Sequence, residues 1–113
     1  MRITIIMKLF VIILIMSNIS CLQAFDSHDL EKLKSSGICT HCDLTMVNLD
    51  EAYLDQVEIK DSDLSGASLI NVKMANAALF NVKLNGANLT NADMPSTLFD
   101  NTQIDNAVLI NAN

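Results

Sequence analysis

Large apolar residues recur at every fifth position of this chain, from Leu44 to Leu109. The residue two places before each is small or β-branched, as at Ala67 and Val82. Because half of the chain is hydrophobic, an unbroken series in one phase would arise by chance on the order of once in ten thousand draws. The series, which we predict to form the core, consists of Leu44, Leu49, Leu54, Ile59, Leu64, Leu69, Met74, Leu79, Leu84, Leu89, Met94, Phe99, Ile104 and Leu109.

A period of five fits neither a helix nor a flat strand. In an α-helix, successive fifth residues are rotated by about 140°, which would spread the leucines around the whole circumference. In a strand, they would alternate between the two faces. The chain must therefore turn at each repeat so that every large residue points to one axis, and this predicts a solenoid.

The repeat resembles that of the pentapeptide-repeat proteins, whose unit is a small residue, Asn or Asp, Leu and two variable residues. Ala87-Asn88-Leu89-Thr90-Asn91 is a full match, and Ser62-Asp63-Leu64-Ser65-Gly66 is close. The segment Cys39-Thr40-His41-Cys42-Asp43-Leu44 is similar to a common entry into such repeats. The resemblance implies an all-β solenoid over residues 38–113, a right-handed quadrilateral β-helix with four repeats per coil. It implies no single activity, because the family's functions are diverse.

If four repeats form one coil, residues twenty apart stack at about 4.8 Å. Asn81 and Asn101 would then form part of an amide ladder, and Asp63 would lie next to Lys83. Two large residues meet where Leu98 precedes Phe99, so we expect a bulge or an outward Leu98 on that side.

The first 24 residues have the order of a secretory signal peptide. Arg2 and Lys8 precede an apolar run over residues 9–16, and polar residues follow. The run is shorter than the roughly 20 residues that a membrane span needs. The small side chain of Ala24 favours cleavage between Ala24 and Phe25, which predicts a periplasmic or secreted protein.

Cys21 supports an alternative. A cysteine just after an apolar run can be lipidated in bacterial lipoproteins, and Ser20 suits the position before such a cysteine, although Asn18 does not fit the usual leucine. The alternative prediction is therefore a membrane-anchored lipoprotein, and we expect membrane association only in that case.

Residues 25–37 lack the period of five and are predicted to form an amino-terminal capping helix. Asp26 or Ser27 can cap it, Leu30 and Leu33 form one apolar stripe, and Gly37 is a natural stop. Such a short helix is marginal alone, so we expect it to cover the first coil, as terminal repeats require.

Cys39 and Cys42 form the single short motif with possible chemistry. In an exported protein they can pair as a disulfide, and the repeat also places both residues inward. A redox or metal site is the alternative. Zinc usually takes four ligands, and the candidates beyond the cysteines are His41 and the distant His28.

The net charge limits the classes of function that the sequence is compatible with. The leader holds two of the seven basic residues and none of the thirteen acidic ones, so its removal lowers the formal net charge from −6 to −8. Such a protein does not bind nucleic acid by neutralising phosphates. A narrow, filled rod also lacks the cleft of an enzyme. We therefore predict an exported structural or protein-interaction module without catalysis or cofactor, whose protein partner is unknown.

Two further predictions concern partners. An acidic rod can mimic a DNA duplex, and some pentapeptide-repeat proteins bind DNA gyrase, so duplex mimicry is the alternative function if the chain stays in the cytoplasm. The last coil lacks a predicted capping helix and would expose Leu109 and unpaired strand edges. We therefore predict a homodimer joined end to end through the carboxyl-terminal coil.

Overall fold

A computed structural model describes residues 25–113, which form a helix followed by a parallel solenoid. Helix α1 spans Ser27–Ser36, and the strands are β1 (Ile38–Thr40), β2 (Glu58–Lys60), β3 (Ala78–Phe80) and β4 (Leu98–Asp100). The strands pair in parallel in the order β1-β2-β3-β4. The predicted fold, a right-handed quadrilateral β-helix with a short amino-terminal helix, is confirmed.

Each coil contains twenty residues. Cys39 pairs with Ile59, Ile59 with Leu79 and Leu79 with Phe99, so the same register continues through all four strands. The other three sides repeat this spacing in isolated parallel bridges, for example Asn48 with Ser68. The solenoid therefore consists of coils 38–57, 58–77, 78–97 and 98–113.

The chain turns at a left-handed residue two places after each large core residue. Thirteen non-glycine residues have positive φ, and seven of them are asparagines. Gly66 and Gly86 occupy the same place in their repeats, at φ 68° and 70°. Glycine and asparagine are the residues that adopt this conformation most readily, which explains why they fill a position that the hydrophobic pattern leaves undefined.

The core fills the axis of the first three coils. Ten of the fourteen predicted core residues, from Leu44 to Leu89, are at most 3% exposed. Met94 is partly buried against them. Phe99, Ile104 and Leu109 differ from the buried state predicted for them, because they are 42%, 48% and 45% exposed. No further layer of the described chain covers the axis at that end.

Helix α1 closes the opposite end. The Asp26 carboxylate accepts the backbone N–H of His28 at 2.8 Å and so caps the helix, and Gly37 ends it at φ 70°. Leu33 is 1% exposed within the core cluster. The backbone N–H of Asp26 donates to the carbonyl oxygen of Asp43 in the first coil at 2.9 Å. The helix is therefore docked on the first coil.

The polar stacks agree in part with the expected pairs. Asn101 donates to Asn81 at 3.0 Å, and Asn81 donates to Asp61 at 2.7 Å. Asp63 and Lys83 are neighbours in the backbone register. Within residues 25–113, however, the one ion pair with N···O below 4 Å joins Lys60 and Glu58, at 3.0 Å. Backbone register alone does not bring long, solvated side chains into contact.

Leu98 is 51% exposed and points outward, while β3 and β4 keep a regular register through Leu79 and Phe99. Of the two arrangements expected where Leu98 precedes Phe99, a bulge or an outward Leu98, the structure therefore shows the outward side chain.

None of the helices in the described residues is long and apolar enough to cross a membrane.

Candidate functional site

The first candidate is the cysteine pair. Cys39 lies at the centre of β1, Cys42 follows the first left-handed corner at His41, and the structure joins the two cysteines in a disulfide with a Cα–Cα distance of 5.8 Å. Their residues are 0% and 3% exposed. A buried disulfide has no thiolate to offer as nucleophile or metal ligand.

In residues 25–113, no three His, Cys, Asp or Glu side chains are grouped so as to hold a metal ion. His41 lies on the corner between two sides of the first coil and His28 lies in α1. The geometry therefore assigns the cysteine pair a structural position beneath α1.

The second candidate is a shallow polar depression at the corner next to the disulfide. Three carboxylates from the first two coils line it together with one lysine and several neutral groups. Its lining consists of His41, Cys42, Asp43, Thr45, Asp61, Ser62, Asp63, Asn81 and Lys83. Asp43 accepts hydrogen bonds from the backbone and hydroxyl of Thr45, at 3.2 and 2.8 Å, so part of this acidic surface is used in local turns.

The third candidate is the carboxyl end of the solenoid, which we call the open-end surface. It is a depression walled by large apolar side chains of the last two coils. Its lining consists of Leu84, Leu89, Met94, Phe99, Thr102, Ile104, Leu109, Ala112 and Asn113. In the same coil, Leu98, Val108 and Ile110 are also exposed, at 51%, 38% and 61%. Six of the nine large apolar residues exposed in the described chain thus lie between 98 and 110.

The backbone at this end is equally open. In each earlier coil, an inward leucine donates its N–H to the next coil, as Leu84 does to Gln103 at 2.7 Å and Leu89 to Val108 at 2.7 Å. The equivalent N–H groups of Ile104 and Leu109 have no backbone acceptor within residues 25–113. Unpaired strand groups beside exposed apolar side chains are the usual template for pairing with another chain.

Two aromatic residues lie on the largely polar sides of the solenoid. Tyr53 is 78% exposed, and the Lys73 ammonium lies 5.4 Å from its ring. The Lys60 ammonium lies 5.2 Å from the Phe80 ring on the outer face of the β1–β4 sheet. The hydrophobic period missed both rings, since they occupy outward positions. Their spacing of twenty residues from a lysine is the signal that could have found them.

The predicted cleavage and lipidation sites lie at or before the first residue that the structure describes. Ala24 and Cys21, with the proposed cleavage and lipidation, lie outside the described residues. Phe25 is described and packs, partly buried, against the core.

These observations define a parallel β-solenoid with five-residue sides and a capped amino end. The family described as pentapeptide repeat region matches residues 38–109. The chain belongs to the pentapeptide-repeat family.

Three solved structures illustrate the similarity. HetL of the cyanobacterium Nostoc sp. strain PCC 7120, a pentapeptide-repeat protein involved in heterocyst differentiation regulation, is 21% identical over 70% of this chain and 40% of its own, with a TM-score of 0.36. Rfr23 of the cyanobacterium Cyanothece 51142 is 25% identical over 63% of each chain, with a TM-score of 0.30.

A pentapeptide-repeat protein from the thylakoid lumen of Arabidopsis thaliana is 18% identical over 65% of this chain and 62% of its own, with a TM-score of 0.35. This chain therefore spans less than two thirds of the length of each of the three. No curated protein matches the sequence.

Proposed function

We propose that the protein is an exported, non-catalytic interaction module that pairs with a second copy of itself through the open-end surface. The observation that carries this proposal is the concentration of exposed apolar side chains at one end of the solenoid, where six of the nine in residues 25–113 lie. Monomeric proteins rarely expose a contiguous apolar patch of this kind unless it has a binding role.

The asymmetry of the two ends favours a closed dimer over a fibre. Helix α1 covers the first coil through Leu33 and the hydrogen bond from Asp26 to Asp43. Head-to-tail stacking would have to displace this helix, whereas two open-end surfaces can meet around a two-fold axis. A two-fold contact uses the same surface on both copies and leaves neither exposed.

Charge also permits the contact. Asp100 and Asp105 are the charged residues of the coil 98–113, so two copies meeting at this end bring few like charges together. The acidic residues are concentrated earlier, from Asp26 to Asp63. In such a dimer they would lie on the outer parts of both arms, where they favour solubility and offer acidic surface to a further protein partner.

Export is supported by two independent features. The leader has a positively charged start, a short apolar run and a small residue at Ala24. In addition, Cys39 and Cys42 are joined in a disulfide, and disulfides form and persist in oxidising compartments outside the cytoplasm.

The test is the oligomeric state of matched variants. Leu109 in the open-end surface is 45% exposed, and Ile38 on the outer face of β1 at the other end is 52% exposed. We expect the unmodified protein and Ile38→Lys to be dimers by sedimentation equilibrium at micromolar concentration. We expect Leu109→Lys to be a monomer with an unchanged circular-dichroism spectrum, because two lysines would face one another in the contact.

A wild-type protein that stays monomeric at high micromolar concentration would exclude the dimer. A Leu109→Lys protein that remains dimeric would place the contact elsewhere on the solenoid.

A further inference from the structure

The Cys39–Cys42 disulfide lies between α1 and the second coil. On the side of α1, the Cys39 Sγ is 3.5 Å from the carbonyl oxygen of Asp29. On the side of the second coil, the Ser62 Oγ is 2.9 Å from the backbone nitrogen of Cys42 and 3.4 Å from the carbonyl oxygen of Cys39. With the cysteines 0% and 3% exposed, a thiolate can reach a sulfur only after a neighbour moves away.

Of these two neighbours, α1 is the easier to displace. It has ten residues, and helices of that length are marginal without tertiary contacts. Its contacts include the buried Leu33, the N–H of Asp26 bonded to Asp43, and the Asp29 carboxylate, which accepts the backbone N–H of Asp43 at 2.9 Å. The second coil is instead bonded to coils on both of its sides. Because local opening begins at the least stable element of a structure, we expect α1 to undock before the second coil separates.

We propose that α1 is a gate over the disulfide, so that thiol–disulfide exchange at Cys39 and Cys42 requires the undocking of α1. With a small dithiol as reductant, one reagent thiolate attacks one cysteine sulfur, forms a mixed disulfide and releases the other cysteine as a thiolate, which takes up a proton. The second thiol of the same reagent then attacks the reagent sulfur that is bonded to cysteine, and the second cysteine is released as a thiolate that also takes up a proton. The two cysteines gain two electrons and two protons, and the reagent leaves as a cyclic disulfide.

The same gate governs the formation of the bond. Because the forward and reverse exchanges pass through the same mixed disulfide, an oxidant can reach the two thiols only while α1 is undocked. Oxidation by a disulfide-bearing partner therefore precedes the final docking of α1, and the docked helix then protects the bond from reduction. This inference is independent of the dimer proposed above.

The polar depression offers the competing route. Cys42 lies in its lining, beside the carboxylates of Asp43, Asp61 and Asp63. Entry from that side would make exchange sensitive to the charge of the reagent, because an anionic thiol would approach against three carboxylates. Entry by undocking of α1 depends instead on the contacts that hold the helix.

The experiment measures the rate of reduction by dithiothreitol, followed by alkylation of free thiols and mass spectrometry of tryptic peptides. Trypsin cleaves after Lys34, so Cys39 and Cys42 lie on a different peptide from Cys21. Leu33→Ala and the milder Asp29→Ala loosen α1. Leu79→Ala is the matched control, since Leu79 is also fully buried but lies in the third coil, outside the lining of the open-end surface.

We expect Leu33→Ala to accelerate reduction by roughly tenfold or more and Asp29→Ala by a smaller factor, while Leu79→Ala leaves the rate unchanged under folding conditions. Equal acceleration by Leu79→Ala would show that reduction needs global unfolding and would overturn the gate. So would wild-type rates in both α1 variants, or a rate that responds to Asp63→Asn with an anionic thiol and not to Asp29→Ala.

Discussion

Asn81 donates its side-chain amide to the carboxylate of Asp61, the equivalent residue one coil earlier, at 2.7 Å. Its own carbonyl oxygen accepts the amide of Asn101 from the following coil at 3.0 Å. The Asn81 backbone is left-handed, with φ 55°. One side chain thus links three coils at a corner whose backbone conformation few residues adopt without cost.

Two substitutions of Asn81 separate the contribution of its side-chain hydrogen bonds from that of its left-handed backbone conformation. We expect Asn81→Ala to lower the free energy of unfolding by about 2–3 kcal/mol, because it removes two side-chain hydrogen bonds and because alanine adopts positive φ less readily than asparagine. Asn81→Gly loses the same bonds but tolerates the backbone conformation, so its loss should be about 1 kcal/mol. Urea denaturation measures both, and equal losses would show that the backbone conformation contributes little.

A charge in the axis should prevent folding. Leu84 is 1% exposed, and Leu84→Asp would bury an unpaired carboxylate among apolar side chains. The adjacent Asn85→Asp is the control. The Asn85 side-chain carbonyl accepts the backbone N–H of Asp105 at 2.9 Å, which a carboxylate can also do, and the substitution loses only the exposed hydrogen bond that the Asn85 amide donates to Gln103 at 3.2 Å. We expect circular dichroism to show an unfolded Leu84→Asp protein and a folded Asn85→Asp protein, and folded spectra for both would contradict the assigned core.

The period of five was sufficient to predict the solenoid and the inward position of residues such as Leu64, whereas the twenty-residue coil was implied by the resemblance to pentapeptide-repeat proteins. It could not predict the loss of burial at Ile104, because the burial of an axis residue depends on whether another layer lies above it. It also did not reveal the left-handed corners, although Asn91 and Gly86 occupied them. That position varies in side chain, and what its residues share is a backbone conformation.

Two glycines at equivalent corners provide a comparison of backbone cost and packing. Gly66 has φ 68° and the Met46 side chain occupies the space that a Cβ would need, whereas Gly86 has φ 70° and open space there. We expect Gly86→Ala to cost about 1 kcal/mol from the backbone alone. Gly66→Ala should cost somewhat more, because the Met46 side chain must move.

The difference between the two glycine variants should disappear when Met46 is also replaced by alanine, as a double-mutant cycle in chemical denaturation would show. If Gly66→Ala stays the more costly of the two in that background, a contact other than Met46 is responsible.

Loss of the disulfide should affect stability more than it affects any binding activity. Cys39 and Cys42 are three residues apart, and the chain-entropy relation for so small a loop gives about 2 kcal/mol. We expect Cys39→Ala with Cys42→Ala to lower the melting temperature without affecting the proposed dimer. Reduced wild-type protein is the matched control. Purification with stoichiometric zinc, or turnover in a disulfide-reduction assay, would contradict the structural assignment.

The location of the mature protein decides between the proposed function and duplex mimicry. Arg2 and Lys8 precede the apolar run and should keep the amino end inside while the following chain crosses the membrane. Cleavage after Ala24 would make Phe25 the first residue, in a periplasmic or secreted protein that does not meet DNA gyrase. Intact mass and amino-terminal sequencing of fractionated cells test this directly. An acylated Cys21 would preserve export but anchor the protein to a membrane. Recovery of the chain with its leader in the cytoplasm would overturn export and favour an acidic rod that mimics a duplex.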